Sequence, residues 1–201
     1  MTEVIIMTKI CFIRHGETDW NTAGRLQGLT NTPLNDKGIE QAKACGQYLK
    51  ESHWDVILTS PLSRAKTTAQ WIQHYLNIPL IENEAFIEVS FGDAEGLTPE
   101  ERSAKFPSLI YPNKEKEAVI KDRFLKGIDL VNNTYKDKNI LIISHGAFIN
   151  AIFHHYSNGN LGTGITKLTN GSMSTLKIAD GHYNIINYDQ TSHLPMQGSS
   201  I

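Results

Sequence analysis

The stretch Ile10-Cys11-Phe12-Ile13-Arg14-His15-Gly16-Glu17 decides the fold, because Ile140-Leu141-Ile142-Ile143-Ser144-His145-Gly146 repeats its plan far along the chain. Each is a short apolar run with β-branched residues that ends in a His-Gly pair. Runs of this kind read as strands buried on both faces of a parallel sheet, and open parallel sheets place ligands beyond the carboxyl ends of their strands. Both histidines are therefore expected at one edge, in a site built from two imidazoles.

Working outward, residues 18–33 are rich in Asn, Thr and Gly and read as a long functional loop directly behind His15. Asn35 is placed to cap a helix whose Ala42, Cys45 and Leu49 recur at helical spacing, and Val56 to Leu58 supplies a second strand. A helix from about Leu62 buries Ala65, Ala69, Ile72 and Leu76, closes at Asn77-Ile78-Pro79 and leads to the run Leu80-Ile81. Between Phe91 and Tyr111 the pattern breaks into Gly, Pro and charged residues, with a helical piece at Pro99 to Phe106. This stretch is read as part of a small helical cap insertion over about 92–135.

Phe124, Ile128, Val131 and Tyr135 mark another helix, and Ile149, Ile152, Phe153 and Tyr156 mark one more after the second His-Gly strand. Ser172 to Ile178 and Tyr183 to Tyr188 alternate around Asp180-Gly181 as an antiparallel hairpin. The expected architecture is a three-layer α/β/α fold with a mainly parallel mixed sheet.

The length, 201 residues, fits a single domain over 1–201. A net charge of −2 gives no global field that would gather polyanions, so no nucleic acid is expected as a partner. Val4 to Met7 is too short for a signal-peptide core, and no run of eighteen apolar residues occurs, so no membrane association is expected. Cys11 and Cys45 fall inside predicted elements and read as buried, reduced thiols, which suits the cytoplasm. The tail from Thr191 to Ile201 reads as loosely held. Exposed β edges and cap faces leave room for a homodimer.

The chemistry sits at the strand ends. Arg14, His15, Glu17, Asn21 and Arg25 follow the first strand, Ser60-Pro61-Leu62-Ser63-Arg64 follows the second, and His145 follows a later one. Guanidiniums, imidazoles and loop amides suit a tetrahedral dianion, and phosphate is the obvious one. Hydrolysis of a phosphate monoester demands rate enhancements of up to about 10²¹-fold, so several fixed donors are needed at once. A neutral imidazole attacks phosphorus if its other nitrogen holds the proton against a carbonyl or carboxylate; His15 takes that role. Glu88 is assigned as the acid that protonates the leaving group and then activates water, ahead of Glu17, Asp93 and Glu95. Repulsion from a bound dianion would raise its pKa.

The ordered set Arg14-His15-Gly16-Glu17-Thr18, Trp20-Asn21, Arg25-Leu26-Gln27-Gly28, Pro33-Leu34, Ser60-Pro61-Leu62, Arg64-Ala65, Glu88, Phe91-Gly92, Glu95-Gly96 and Ser144-His145-Gly146 resembles the histidine phosphatase superfamily, in its phosphoglycerate-mutase-like branch. The resemblance covers nearly the whole chain. It implies a phosphohistidine at His15, a phosphate pocket of Arg14, Asn21, Arg64, His145 and the Gly146 amide, Gln27 and Gly28 closing over the phosphate, and Glu88 as proton donor. It implies no metal and no cofactor. Two residues depart from the pattern: Asn31 stands where an acid is usual, and Ala94 where a bulky aromatic often lies.

Other residues read as structural. Glu17 orients loop amides or receives a bond from Arg25. His154 and His155 are adjacent on a helix and take surface or packing roles; His53, His74, His182 and His193 read as surface imidazoles. Lys114, Lys116, Lys121 and Arg123, interleaved with Glu115, Glu117 and Asp122, read as a solvated helical face. The function expected is a metal-independent, histidine acid-type phosphatase acting on a small phosphorylated metabolite. A cofactor-dependent phosphoglycerate mutase is the alternative, and a noncatalytic phosphate-binding module ranks below both.

Overall fold

The computed structural model describes residues 7–195, in the order β1 (Thr8–Arg14), α1 (Asp19–Thr22), α2 (Asp36–Leu49), β2 (Val56–Thr59), α3 (Ser63–Leu76), β3 (Leu80–Glu82), α4 (Pro99–Lys105), α5 (Glu117–Thr134), β4 (Asn139–Ser144), α6 (Gly146–Tyr156), β5 (Met173–Ala179) and β6 (His182–Gln190). Residues 4–6 of the first apolar run and residues 196–201 of the tail lie outside it. The strands form one sheet in the order β3-β2-β4-β1-β5-β6. β3, β2, β4 and β1 run parallel, while β5 pairs antiparallel with both β1 and β6.

Alternation along the strands sorts the core into two layers. Ile10 and Phe12, Val56 and Leu58, and Ile140 and Ile142 face α5 and α6, where Phe124, Ile128, Phe148 and Ile152 are buried. Cys11 and Ile13, Ile57, and Leu141 and Ile143 face the other way, onto Cys45, Ala65, Ala69 and Ile72 of α2 and α3. The expected three layers are present. Both cysteines are buried and free, and burial pushes the Cys11 thiol up to about 11, so neither is a ready nucleophile.

The site follows from the connections. The chain leaves β1 for α2 on one face and leaves the adjacent β4 for α6 on the other, so the two strands splay their following segments apart. Such a switch point opens a crevice at the carboxyl edge. Arg14 is in register with Ser144, which sets His15 beside His145, and the His15 amide donates to the Ser144 carbonyl at 3.0 Å.

The segment 92–135 divides. α5 lays Ile120, Phe124, Ile128 and Val131 into the core under the sheet and belongs to the helical layer, because its apolar stripe matches that of α6. In the remaining stretch, 92–116, α4 buries no residue. Among the described residues no helix is long and apolar enough to cross a membrane.

Candidate active site

His15 is only 2% exposed, and its Nδ1 lies 2.7 Å from the Gly16 carbonyl. A carbonyl only accepts, so Nδ1 carries the hydrogen and Nε2 keeps its lone pair. Burial first, then the charges of Arg64 and Arg14, hold the imidazole well below its usual pKa, and the ring is neutral at pH 7. The loop is pinned from several sides. The Gly16 amide donates to Thr68 Oγ1, and Asn170 Nδ2 donates to the His15 carbonyl at 3.0 Å and to Asn21 Oδ1 at 3.1 Å. Gly16 is required by close approach, since a Cβ there would lie 2.3 Å from the Gly38 carbonyl oxygen.

The second imidazole lies with its ring centroid 5.2 Å from that of His15. His145 is fully buried, its Nε2 is 2.7 Å from Ser60 Oγ, and its Nδ1 has no partner among the described residues. Two guanidiniums complete the cluster. Arg14 donates to the Leu168 carbonyl, and Arg64, 0% exposed in the first turn of α3, donates to the carbonyls of Gly28 at 2.7 Å and Thr30 at 2.8 Å. The Nε atoms of both are buried without a partner among the described residues. Burial lowers the Arg64 pKa to about 10, still cationic at neutral pH. Buried cations and an orphaned imidazole nitrogen are the kind of donor set an oxyanion satisfies.

Glu88 is 8% exposed and lies against the N-terminus of α6. Its Oε1 accepts from the amides of Val89 and Phe148, both at 2.9 Å, and its Oε2 from Ala147 at 3.2 Å. Burial raises its pKa against the opposing pull of these amides and Arg64. The carboxyl therefore resists ionisation before any anion binds. Oε2, with its single longer bond, is the oxygen best able to carry a proton.

Arg14, His15, Asn21, Gln27, Gly28, Arg64, Glu88 and Gly146 line one cavity of about 260 Å³. The assigned residues other than His145 thus line one cavity, and the His145 ring lies against that of His15. Gln27 Oε1 accepts from Thr32, which leaves its amide nitrogen for the cavity. Gly28 needs its positive φ of 52°, and a Cβ there would strike Glu95.

Several readings are corrected. Glu17 accepts from Lys37 at 2.8 Å, Asn35 and Thr22 rather than from Arg25; burial opposes its ionisation, but these bonds outweigh it and hold the carboxyl below its usual range. Arg25 instead pairs with Glu101 at 3.0 Å and donates to the Gly96 carbonyl. Glu95, ranked behind Glu88 as proton donor, accepts from the amides of Leu29, Thr30 and Phe91 and clips the Gly28 loop to the Glu88 segment. Asn31, where an acid is usual, accepts from the Ser63 amide at 2.8 Å at the start of α3 and does an acid's capping work. His193 is half-buried between Tyr48 and the Gly171 carbonyl, not a free surface ring.

Arg123 is the largest miss. It is no part of a solvated face: its guanidinium pairs with Glu115 at 3.0 Å, donates to the Ile87 carbonyl at 2.6 Å, and lies 4.4 Å from the Phe148 ring centroid. It braces both the segment that carries Glu88 and the residue whose amide holds the Glu88 carboxylate. Asn170 and Ser60 were likewise given no role by the sequence. Only Ser60 carried a signal, as the first residue after a buried strand.

The model for the histidine phosphatase superfamily (branch 1) matches residues 10–191. The chain belongs to that superfamily. An uncharacterized phosphatase, PhoE, of Bacillus subtilis is 44% identical over 188 residues, which is 94% of this chain and 97% of that protein. A metal-independent phosphoserine phosphatase of Arabidopsis thaliana is 31% identical over 96% of this chain and 85% of its own length. Among solved structures, Bacillus stearothermophilus YhfR superposes with a TM-score of 0.87 at 24% identity, covering 94% of this chain and all of that one, a likeness of fold. This histidine phosphatase is accordingly a phosphatase by class.

Proposed function

We infer that the protein hydrolyses a small phosphorylated metabolite by double displacement through a phosphohistidine at His15, without a metal. The observation that carries this reading is the His15 ring, neutral and held through Nδ1 by the Gly16 carbonyl, on the wall of a cavity it shares with Arg14, Arg64 and Glu88. In the first step the Nε2 lone pair forms a bond to phosphorus. The bond from phosphorus to the ester oxygen breaks, its electron pair stays on that oxygen, and the proton of Glu88 goes to it. In the second step the Glu88 carboxylate takes a proton from water, the water oxygen bonds to phosphorus, and the N–P pair returns to Nε2.

Arg14, Arg64, Asn21, Gln27, the backbone of Gly28 and Gly146, and His145 hold the phosphoryl oxygens, and the fixed guanidiniums neutralise charge as it spreads over them. Charge stabilisation by guanidinium and imidazole replaces what a metal would supply. The test is product analysis: with chelator present, a panel of phosphomonoesters and 3-phosphoglycerate yields free phosphate at an undiminished rate and no isomerised acid. Loss of activity on chelation, restored by a divalent ion, contradicts the metal-free assignment. Isomerisation faster than phosphate release makes the chain a mutase.

Arg123 enters this scheme as a positioning residue. Arg123→Gln lowers kcat/KM for an alkyl phosphate by roughly 10- to 100-fold, a share of the two to four orders general acid catalysis supplies. The same variant leaves kcat/KM for p-nitrophenyl phosphate within about threefold, because nitrophenolate leaves without a proton. Equal losses with both esters would assign Arg123 to stability alone.

A further inference from the structure

We propose that the alcohol half of the substrate is a bulky apolar group ending in an anion, seated in a groove between α5 and α6. The proposal rests on the phosphatase reading above and extends it to the part of the substrate that the phosphate pocket does not touch.

A second cavity, about 350 Å³, adjoins the 260 Å³ phosphate pocket, and the two share Phe91 and Ala147 as walls. Glu88 lines the phosphate pocket and its neighbour Val89 lines the groove. Ala147, the shared wall, is also the residue whose amide donates to Glu88 Oε2. The proton donor therefore lies at the seam between the cavities. An ester oxygen that takes this proton has its phosphorus on one side and its carbon on the other, so the alcohol runs into the groove.

The floor of the groove is apolar: Val89, Ile120, Phe124 and Ala151. Its rim carries Lys114 and Lys121 against the single carboxylate of Glu117. Neither lysine is ion-paired among the described residues. Two lysines against one carboxylate leave the rim net positive, and His155, whose ring lies against Phe124, adds no charge because burial and then Lys121 lower its pKa. The groove alone falls at the lower end of the ~300–1,000 Å³ typical of a whole small-molecule site. A three-carbon polar alcohol would leave that floor against water. A ring or branched chain covers it, and a carboxylate at its far end reaches the lysines.

The experiment measures kcat/KM on the intact protein for three primary alkyl phosphates of similar leaving-group basicity: glycerol 3-phosphate, 2-phenylethyl phosphate and 2-(4-carboxyphenyl)ethyl phosphate. Phenylethyl phosphate exceeds glycerol 3-phosphate by roughly 10- to 100-fold, the range a few apolar carbons give in a fitted pocket. The carboxylated ester gains several-fold more, about the worth of a charge-assisted contact at a wet rim. That extra gain disappears in the Lys114→Gln/Lys121→Gln variant, whose changes lie on exposed side chains. Ala151→Phe fills the groove and brings the phenylethyl-to-glycerol ratio toward one. The ratio needs no comparison of absolute activities between proteins. Equal kcat/KM for all three esters in the unsubstituted protein, or ratios that neither variant moves, overturn the groove assignment and leave the phosphatase reading standing. Absence of hydrolysis of every ester overturns the phosphatase reading and this one with it.

Discussion

His15→Ala lowers turnover by about four to six orders of magnitude, the scale on which loss of a covalent nucleophile is felt. The variant keeps its fold, because the neighbouring backbone is held independently: the Gly16 amide by Thr68, the His15 carbonyl by Asn170, and the His15 amide by Ser144. Thermal unfolding therefore stays near that of the parent protein. Phosphate or vanadate still binds, since Arg14, Arg64 and Asn21 are untouched. Binding without turnover is the expected signature, and it separates loss of the nucleophile from collapse of the site. Turnover within tenfold of the parent would remove His15 from the bond-forming role.

Glu88→Gln gives the second largest effect, a fall of about 10²- to 10⁴-fold in kcat/KM for alkyl phosphates, the usual worth of a positioned general acid. The amide still accepts from part of the α6 N-terminus but has no transferable proton. With p-nitrophenyl phosphate the first step is spared and the second is slowed, so phosphoenzyme accumulates. The sign of the pH dependence follows from the same group. The donor form of Glu88 is protonated, and burial raises its pKa, so activity falls as pH rises through that pKa. His15, depressed by burial and the two arginines, stays neutral until well below its usual value and sets the acid limb. The substrate's own second ionisation, near a pKa of about 6 for a phosphomonoester, is common to both proteins. The alkaline fall of kcat/KM for an alkyl phosphate in the parent, absent in Glu88→Gln, is thus the diagnostic difference. An unchanged profile in the variant would move the acid role to another group.

The residues assigned to the phosphate are legible in the sequence because a parallel sheet converts strand ends into neighbours. Two His-Gly pairs at the ends of apolar runs suffice to place His15 beside His145, and Arg14 comes with the first of them. Glu88 is harder to read, since no strand precedes it directly; its place depends on an α6 N-terminus that only the fold brings near. Arg123, Asn170 and Glu95 are illegible for one physical reason. Much of what they bind is backbone: Arg123 the carbonyls of Ala85 and Ile87, Asn170 that of His15, Glu95 the amides of Leu29 and Thr30. Every residue has a carbonyl and all but proline an amide hydrogen, so such contacts leave no mark at the partner position. Around 114–123 the signs alternate as on any solvated helix, and the pattern does not reveal which cation turns inward. The same limit explains the 92–135 boundary. α5 is amphipathic, and amphipathicity shows that a face is buried without showing against what.

The central claim is that the phosphoryl group rests on one nitrogen of one histidine between the two steps. Quenching a single turnover in alkali, where phosphohistidine survives, and mapping the phosphoryl group by tandem mass spectrometry tests it most directly. The account predicts phosphate on His15, formed before free phosphate is released and missing in His15→Ala. A phosphoryl group on His145 or any other residue, or turnover with no phosphoenzyme and inversion of configuration at phosphorus, would contradict it.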